Sequence, residues 1–356
     1  MKILFLVPYP LKESASQRFR FEQYLEILLK YGHSYKVQSF LNSSDWKILY
    51  EKGKIARKVI VLGHGLIRRL FILFHINRFD LIFIHREAMP LGPPAIEWVI
   101  AKILKKKIIF DFDDAIWLTD RQNEPGWLSA IKWRKKIEYL CQWSYKVSVG
   151  NVYLCDYARK FNERVVLNPS TIDAVGLHVL PPSTKKSGEV VIGWTGSHST
   201  MKYLYELEPV LKQLEETHPN ITILIIADQR PLLSLKTIRF VPWSQKTEIK
   251  DLAKIDIGIM PLQDDVWTKG KCGFKALQYM SLEKPALVSP VGANLQIVEH
   301  GITGFHCATA EDWLNYAGLL ISRKDICDTM GKRGREWVIR HYSVTSNTPN
   351  FLSLLE

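Results

Sequence analysis

The chain has 356 residues, 47% hydrophobic and 24% charged, which supplies apolar material for two packed cores and excludes an intrinsically disordered chain. Its formal net charge of +12 points to acidic partners: nucleic acid, anionic lipid or phosphorylated small molecules. With no zinc motif, RNP-like aromatic strand or basic tail, nucleic acid is set aside, and five scattered cysteines with no C-x-x-C spacing argue against disulfides and zinc and fit a reducing cytoplasm.

The opening "MKILFLVPYP" reads as a buried strand, its apolar run cut short by Pro8 before it reaches signal-peptide length. "SQRFRFEQYLEILLKYG" predicts one helix with Phe19, Tyr24, Ile27 and Leu28 on its apolar side and a stop at Gly32. Further strands are expected near residues 37, 83, 110 and 148. Between the second and third, "EKGKIARKVIVLGHGLIRRLFILFHINR" mixes cations with apolar residues at helical spacing, and Arg68 and Arg69 interrupt it too early for a membrane span. This composition, like that of "WLSAIKWRKKIEYLCQWSYK", suits either a helix at an anionic membrane surface or an ordinary core face backed by a solvated basic one.

After the Pro-, Ser- and Lys-rich stretch "VVLNPSTIDAVGLHVLPPSTKKSGE", the β then α rhythm restarts with strands at "VVIGW", "ITILIIAD", "TIRFVPW", "DIGIMPL", "KPALVSP" and "GFHCA". The last segment predicts a helix to about His341, a break and a short terminal helix. Two serial halves of this kind imply an α/β protein of two Rossmann-like doubly wound domains facing each other across a cleft. The expected boundaries are 1–170, a linker over 171–188, 189–335, and a helical tail over 336–356 that returns to the first domain.

Four constellations follow predicted strands, where such domains bind ligands. "GWTGSHSTMKYL" places Gly196, Ser197, Ser199 and Thr200 before a helix carrying Lys202, an arrangement for phosphate or a plain N-cap. "GKCGFKALQYM" sets Lys271, Lys275 and Gln278 on one helical stripe behind Gly270 and around Gly273, a face for a diphosphate and a ribose or an ordinary solvated face. In "FDFDDAIW", alternation sends Asp111 and Asp113 to one side, with Asp114 at the strand exit, to bind a metal, hold a hydroxyl or cap a helix. Arg18 and Arg20 after the first strand, with Arg86 and Glu87 after the third, would line the first domain's mouth or serve as surface ion pairs. His85 and His198 sit at strand ends, where they could contact substrate, and the other histidines show no metal-like grouping.

These motifs resemble those of the retaining nucleotide-sugar glycosyltransferases of GT-B fold, the family 4 group, over nearly the whole chain. "GKCGFKALQYMSLEKPALVSPVGANLQIVEHGITGFHC" is similar to the family's donor-binding half, and "SQRFRFEQY", "FDFDDAIW" and "GWTGSHSTMKYL" resemble a bacterial branch that builds cell-surface polysaccharides. Two glutamates usual on the donor helix are replaced by Gly270 and Gln278, and the arginine of a diphosphate-binding pair by Ser197, leaving Lys202.

The resemblance implies metal-independent transfer from a UDP-, GDP- or dTDP-sugar, without a cofactor, to a saccharide or lipid-linked saccharide. The donor would lie on Gly196, Ser197, Ser199, Thr200, Lys202, Trp243, Lys271, Gly273, Lys275 and Gln278, and the acceptor beside Arg18, Arg20, Arg86 and Glu87. Asp113 or Asp114 would orient the attacking hydroxyl and Lys271 would stabilise the leaving diphosphate. A cytoplasmic protein touching an anionic membrane is the expected setting. The alternatives are a sugar-nucleotide epimerase, a non-catalytic subunit, or a metal-dependent GT-A enzyme using Asp111 and Asp113.

Overall fold

The computed structural model describes residues 1–50, 53–119, 124–180 and 188–356. The later part of the expected linker, 181–187, lies outside the described residues. The chain divides into two compact units, one of residues 1–170 and 348–356 and one of residues 171–347. The second crossing falls inside the helix Val344–Ser353 rather than at residue 336. Helix Lys324–His341 stays with the second unit because Met330 and Val338 are buried in that unit's core.

The first unit is built on six parallel strands: β1 (Lys2–Val7), β2 (Ser34–Ser39), β3 (Leu81–His85), β4 (Lys107–Phe112), β5 (Lys146–Val149) and β6 (Val165–Leu167). Their spatial order is β2-β1-β3-β4-β5-β6. The inner strands β1, β3 and β4 are buried almost throughout, as expected where helices cover both faces of a parallel sheet. β6 was hidden in the sequence: three residues at the head of the Pro- and Ser-rich stretch carry no readable period. The C-terminal tail returns to this unit, stacking Phe351 on Tyr24 with ring centroids 4.2 Å apart.

The helix expected after β1 is broken. Ala15–Arg18 is helical, Glu22–Tyr24 is a 3₁₀ turn and Leu25–Lys30 is helical again. Phe19, Arg20 and Phe21 are all buried, and three consecutive residues cannot all face inward from a regular helix with 100° between neighbours. Phe21 accordingly leaves helical geometry at φ −124°.

The second unit repeats the plan with β7 (Val190–Gly196), β8 (Ile221–Ala227), β9 (Ile238–Pro242), β10 (Ile257–Met260), β11 (Ala286–Val288) and β12 (Gly304–His306), ordered β12-β11-β10-β7-β8-β9. Helix Phe274–Ser281 packs closely on β10, since the ring of Tyr279 occupies the space a Cβ at Gly258 would need. The Tyr279 hydroxyl accepts the Thr195 N–H at 2.9 Å and donates to the Ile259 carbonyl at 3.3 Å, tying the helix to both β7 and β10. All five cysteines are free and buried.

Candidate functional site

In the first unit the strand order reverses between β1 and β3, so a crevice opens at their carboxyl ends. Asp111, next to last in β4, is fully buried there. One of its oxygens accepts from Arg20 Nη2 and from Ser148 Oγ at 2.6 Å; the other accepts from Arg20 Nε at 3.3 Å and His85 Nδ1 at 2.8 Å. Burial opposes this charge, but the Arg20 guanidinium and His85 hold the carboxyl well below the usual carboxylate range. Arg20 therefore does not line the mouth of the unit. It is buried as the counter-charge of Asp111, with a further bond to the Asn168 carbonyl. Arg18 is buried as well, its guanidinium 4.7 Å from the Phe19 ring centroid. With both oxygens of Asp111 occupied by protein donors, the D-x-D metal pair of Asp111 and Asp113 is not formed.

The network continues outward. Ser16 Oγ lies 2.8 Å from His85 Nε2 and 3.0 Å from Asp113 Oδ1, bridging the two side chains. Arg86, held at φ +60° just past β3, donates to Asp113 Oδ1 through Nε at 3.0 Å and Nη2 at 2.8 Å, and to Asp114 Oδ2 at 2.8 Å. Burial would raise the Asp113 carboxyl, but the neighbouring Arg86, His85 and Arg20 bring it below its ordinary value. Tyr9 stands nearby, its phenol pushed up by burial. Glu87 turns aside to pair with Lys136 at 2.6 Å. Ser16, Ser148 and Tyr9 were not singled out in the sequence; an isolated serine or tyrosine carries no local pattern.

In the second unit the order reverses between β7 and β10, and the two lysine- and hydroxyl-bearing motifs both lie at that reversal. After β7, Ser197 and Ser199 hydroxyls lie 2.8 Å apart and Thr200 Oγ1 donates to the Ser197 carbonyl at 3.1 Å. Neither Ser199 nor Thr200 forms a side-chain N-cap. Lys202 is exposed, 5.0 Å from the Tyr203 ring centroid. His198 is held by Asp228 at the end of β8, with its N–H 2.7 Å from Oδ1 and Nδ1 2.5 Å from Oδ2.

After β10 the geometry differs from a single stripe. The helix starts at Phe274, and Lys271 precedes it in extended conformation. Gly273 is the N-cap at φ +63°, where a Cβ would come within 2.3 Å of Ile297. Glycine is required there for both reasons. The two cations lie near aromatic rings: Lys271 Nζ is 5.6 Å from the Trp267 centroid and Lys275 Nζ 5.7 Å from that of Trp194. Gln278 is buried and turns to Glu248, donating at 3.2 Å to the same Oε1 that accepts the Trp243 indole N–H at 3.2 Å. Glu248 was missed, being one acid in a mixed polar run after β9. Asn294, buried after β11, donates to the Ser289 carbonyl at 3.0 Å, while its Oδ1 is buried without a hydrogen-bond partner. That oxygen lies 3.1 Å from the position of a Cβ on Gly273.

Residues 189–322, the strands and helices just described, match the family model described as Glycosyl transferases group 1. No curated protein sequence matches the chain. Solved structures match it from end to end. A sucrose-phosphate synthase from Thermosynechococcus elongatus superimposes with a TM-score of 0.74 at 14% identity, covering 100% of this chain and 98% of that one. The fold is GT-B. A glycosyltransferase from Rickettsia africae (TM-score 0.69, 15% identity, 100% and 98% covered) and HepE from Anabaena (0.67, 15%, 100% and 99%) share it. Within this GT-B chain the group 1 match lies inside the second unit and includes Lys271, Lys275 and Asn294, while the Asp111 network lies outside the matched residues.

Proposed function

We propose that the chain is a retaining glycosyltransferase that moves a sugar from a nucleoside-diphosphate sugar to a hydroxyl of a glycan or lipid-linked saccharide in cell-surface polysaccharide synthesis. The observation that carries this reading is the gathering of Gly196 to Lys202 and of Lys271 to Lys275 at one strand-order reversal, inside the segment matched by the group 1 model. HepE, of the same fold, has been solved with UDP and with UDP-glucose.

In this reading the diphosphate lies against Lys271, Lys275 and Lys202 and the hydroxyl-rich turn Ser197–Thr200, with the nucleoside toward Trp243, Glu248 and Gln278. As the bond between the anomeric carbon and the phosphate oxygen breaks, the acceptor oxygen bonds to the same face and its proton passes to the departing diphosphate. Lysines there stabilise the charge that grows on the leaving group, the role a metal would otherwise fill. Asp113, held ionised by Arg86, is a weak proton acceptor at neutral pH and suits orienting the acceptor hydroxyl, with Asp114 beside it. With no carboxylate at position 270, the unpartnered Asn294 Oδ1 is the acceptor offered to a sugar hydroxyl.

The test is calorimetric titration with UDP, GDP and their sugars in EDTA, on the native chain and on Lys271→Ala and Lys275→Ala. Binding of one nucleotide that both variants weaken supports the donor site; no binding to a folded protein overturns it. The glycine at 270 also favours a second reading, a sugar-nucleotide epimerase, which would form product from donor alone.

A further inference from the structure

Helix Ile55–Leu73 is apolar on two sides, one packed inward and one exposed. Val61, Gly65, Arg69 and Ile72, recurring every three or four positions, face inward. Gly65 leaves room for the Phe40 ring. Arg69 is fully buried, its donors held by the carbonyls of Ala88, Gln38 and Val7 at 2.7–2.9 Å. On the opposite side Val59, Ile60, Ile67, Leu70, Phe71 and, one residue past the helix, Phe74 are 45–82% exposed. Only Ala56 and Gly63 lie among them, so this face has no charged residue. Surface helices of soluble proteins present the reverse pattern, and a continuous exposed apolar face of this length marks an interaction surface.

Charge identifies the occupant. From Gly53 to Phe79 there are six Lys and Arg residues and no Asp or Glu. Arg69 is buried and Arg68 pairs with Asp45, but Lys54 and Arg57 at one end and Arg78 at the other are exposed. Lys106 adds a cation at that second end, where its Nζ donates to the Phe79 carbonyl at 3.0 Å. In a symmetric pairing of two copies, a rim in which cations outnumber acids, Asp45 on Arg68 and the exposed Asp80 near Arg78 being the acids beside it, would meet itself. An anionic lipid surface instead accepts apolar side chains at the acyl boundary and cations among the headgroups. Among the described residues no helix is long and apolar enough to cross a membrane, so the segment would lie in the interface plane.

We propose that the outward face of Ile55–Leu73 is an interfacial anchor that seats the first unit on an anionic bilayer. The inference is independent of the transferase reading, since it uses none of the residues assigned to donor or acceptor.

The test is vesicle flotation of the full chain with phosphatidylcholine alone and with phosphatidylcholine mixed with phosphatidylglycerol. The variants are Ile67→Glu/Leu70→Glu and, separately, Arg57→Glu/Lys58→Glu; circular dichroism and thermal melting check each fold. The native chain is expected to float only with the anionic vesicles, with a partition coefficient reduced about a hundredfold or more in the apolar-face variant and about tenfold in the charge variant. Absence of native binding, or equal binding by the folded apolar-face variant, would overturn the anchor. So would a native dimer that this variant makes monomeric without any vesicle binding, because the face would then belong to a second copy.

Discussion

Replacing Arg20 by methionine, of similar length and no charge, tests whether the Arg20–Asp111 pair is a structural tie. The change removes the donors of Nε and Nη2 from Asp111 and the one that meets the Asn168 carbonyl, while Asp111 remains fully buried. Removing one partner of a buried ion pair costs about 3–5 kcal/mol. For a unit of this size that corresponds to a fall in Tm of roughly 6–20 °C. The pH dependence carries the sign. In the native chain the Asp111 carboxyl lies well below its ordinary value, so the stability it contributes is present above the unfolded-state value of about 3.9 and is lost as pH falls through the lower folded value. Without Arg20, burial dominates and the carboxyl takes up a proton, so the variant's deficit is largest near pH 7 and narrows toward about pH 4. Urea unfolding of both proteins at the two pH values measures this. A loss below about 1 kcal/mol, in the range of an exposed pair, or a deficit that does not change with pH, would refute the reasoning.

Four further outcomes are expected. Gln278→Glu installs a glutamate usual in the resembled family, yet it sets a second carboxylate beside Glu248. Two such charges near 3 Å repel by about 5 kcal/mol at an effective dielectric of 20, so after relaxation a stability loss of about 2 kcal/mol is expected in urea melts and weaker nucleotide binding by calorimetry. Asn294→Ala should leave UDP or GDP affinity within about twofold but cost about tenfold in kcat/KM for the donor sugar, as expected for one lost hydrogen bond; equal losses for nucleotide and sugar nucleotide would contradict its placement. Asp113→Asn should lower kcat about a hundredfold or more with donor affinity unchanged, and because the native carboxyl lies below its ordinary value, the native rate should not fall through loss of this charge between about pH 7 and pH 5. Arg69→Met strands the Val7, Gln38 and Ala88 carbonyls and should cost about 3 kcal/mol or more by thermal melting.

Much of the architecture was legible because its signals are local. Among the described residues, eleven of the twelve strands carry β-favouring residues bounded by turn signals, and position after a strand end was enough to bring Asp113, Asp114, Arg86, Lys271 and Lys275 under consideration. β6 escaped because three residues are too few for a pattern to emerge. The helix after β1 was misread because periodicity assumes one buried face, whereas Phe19, Arg20 and Phe21 are all drawn inward.

The partners of the polar side chains were not legible. Nothing local distinguishes Arg20, a buried counter-ion 91 positions from Asp111, from Arg86, which holds the two aspartates at the crevice. Gln278 and Glu248 are 30 positions apart and meet only because helix Phe274–Ser281 packs where it does. The same holds for helix Ile55–Leu73, whose sequence contains an apolar side and a set of cations. Which side faces water depends on what the neighbouring strands bury. By itself the sequence determined the strands other than β6, their alternation with helices and the residue types at the strand ends, because these follow from backbone propensity and hydrophobic period. Tertiary structure alone decided which charges are neutralised, which polar atom is left unpartnered and which apolar face stays outside, because each depends on contacts between residues far apart in the chain.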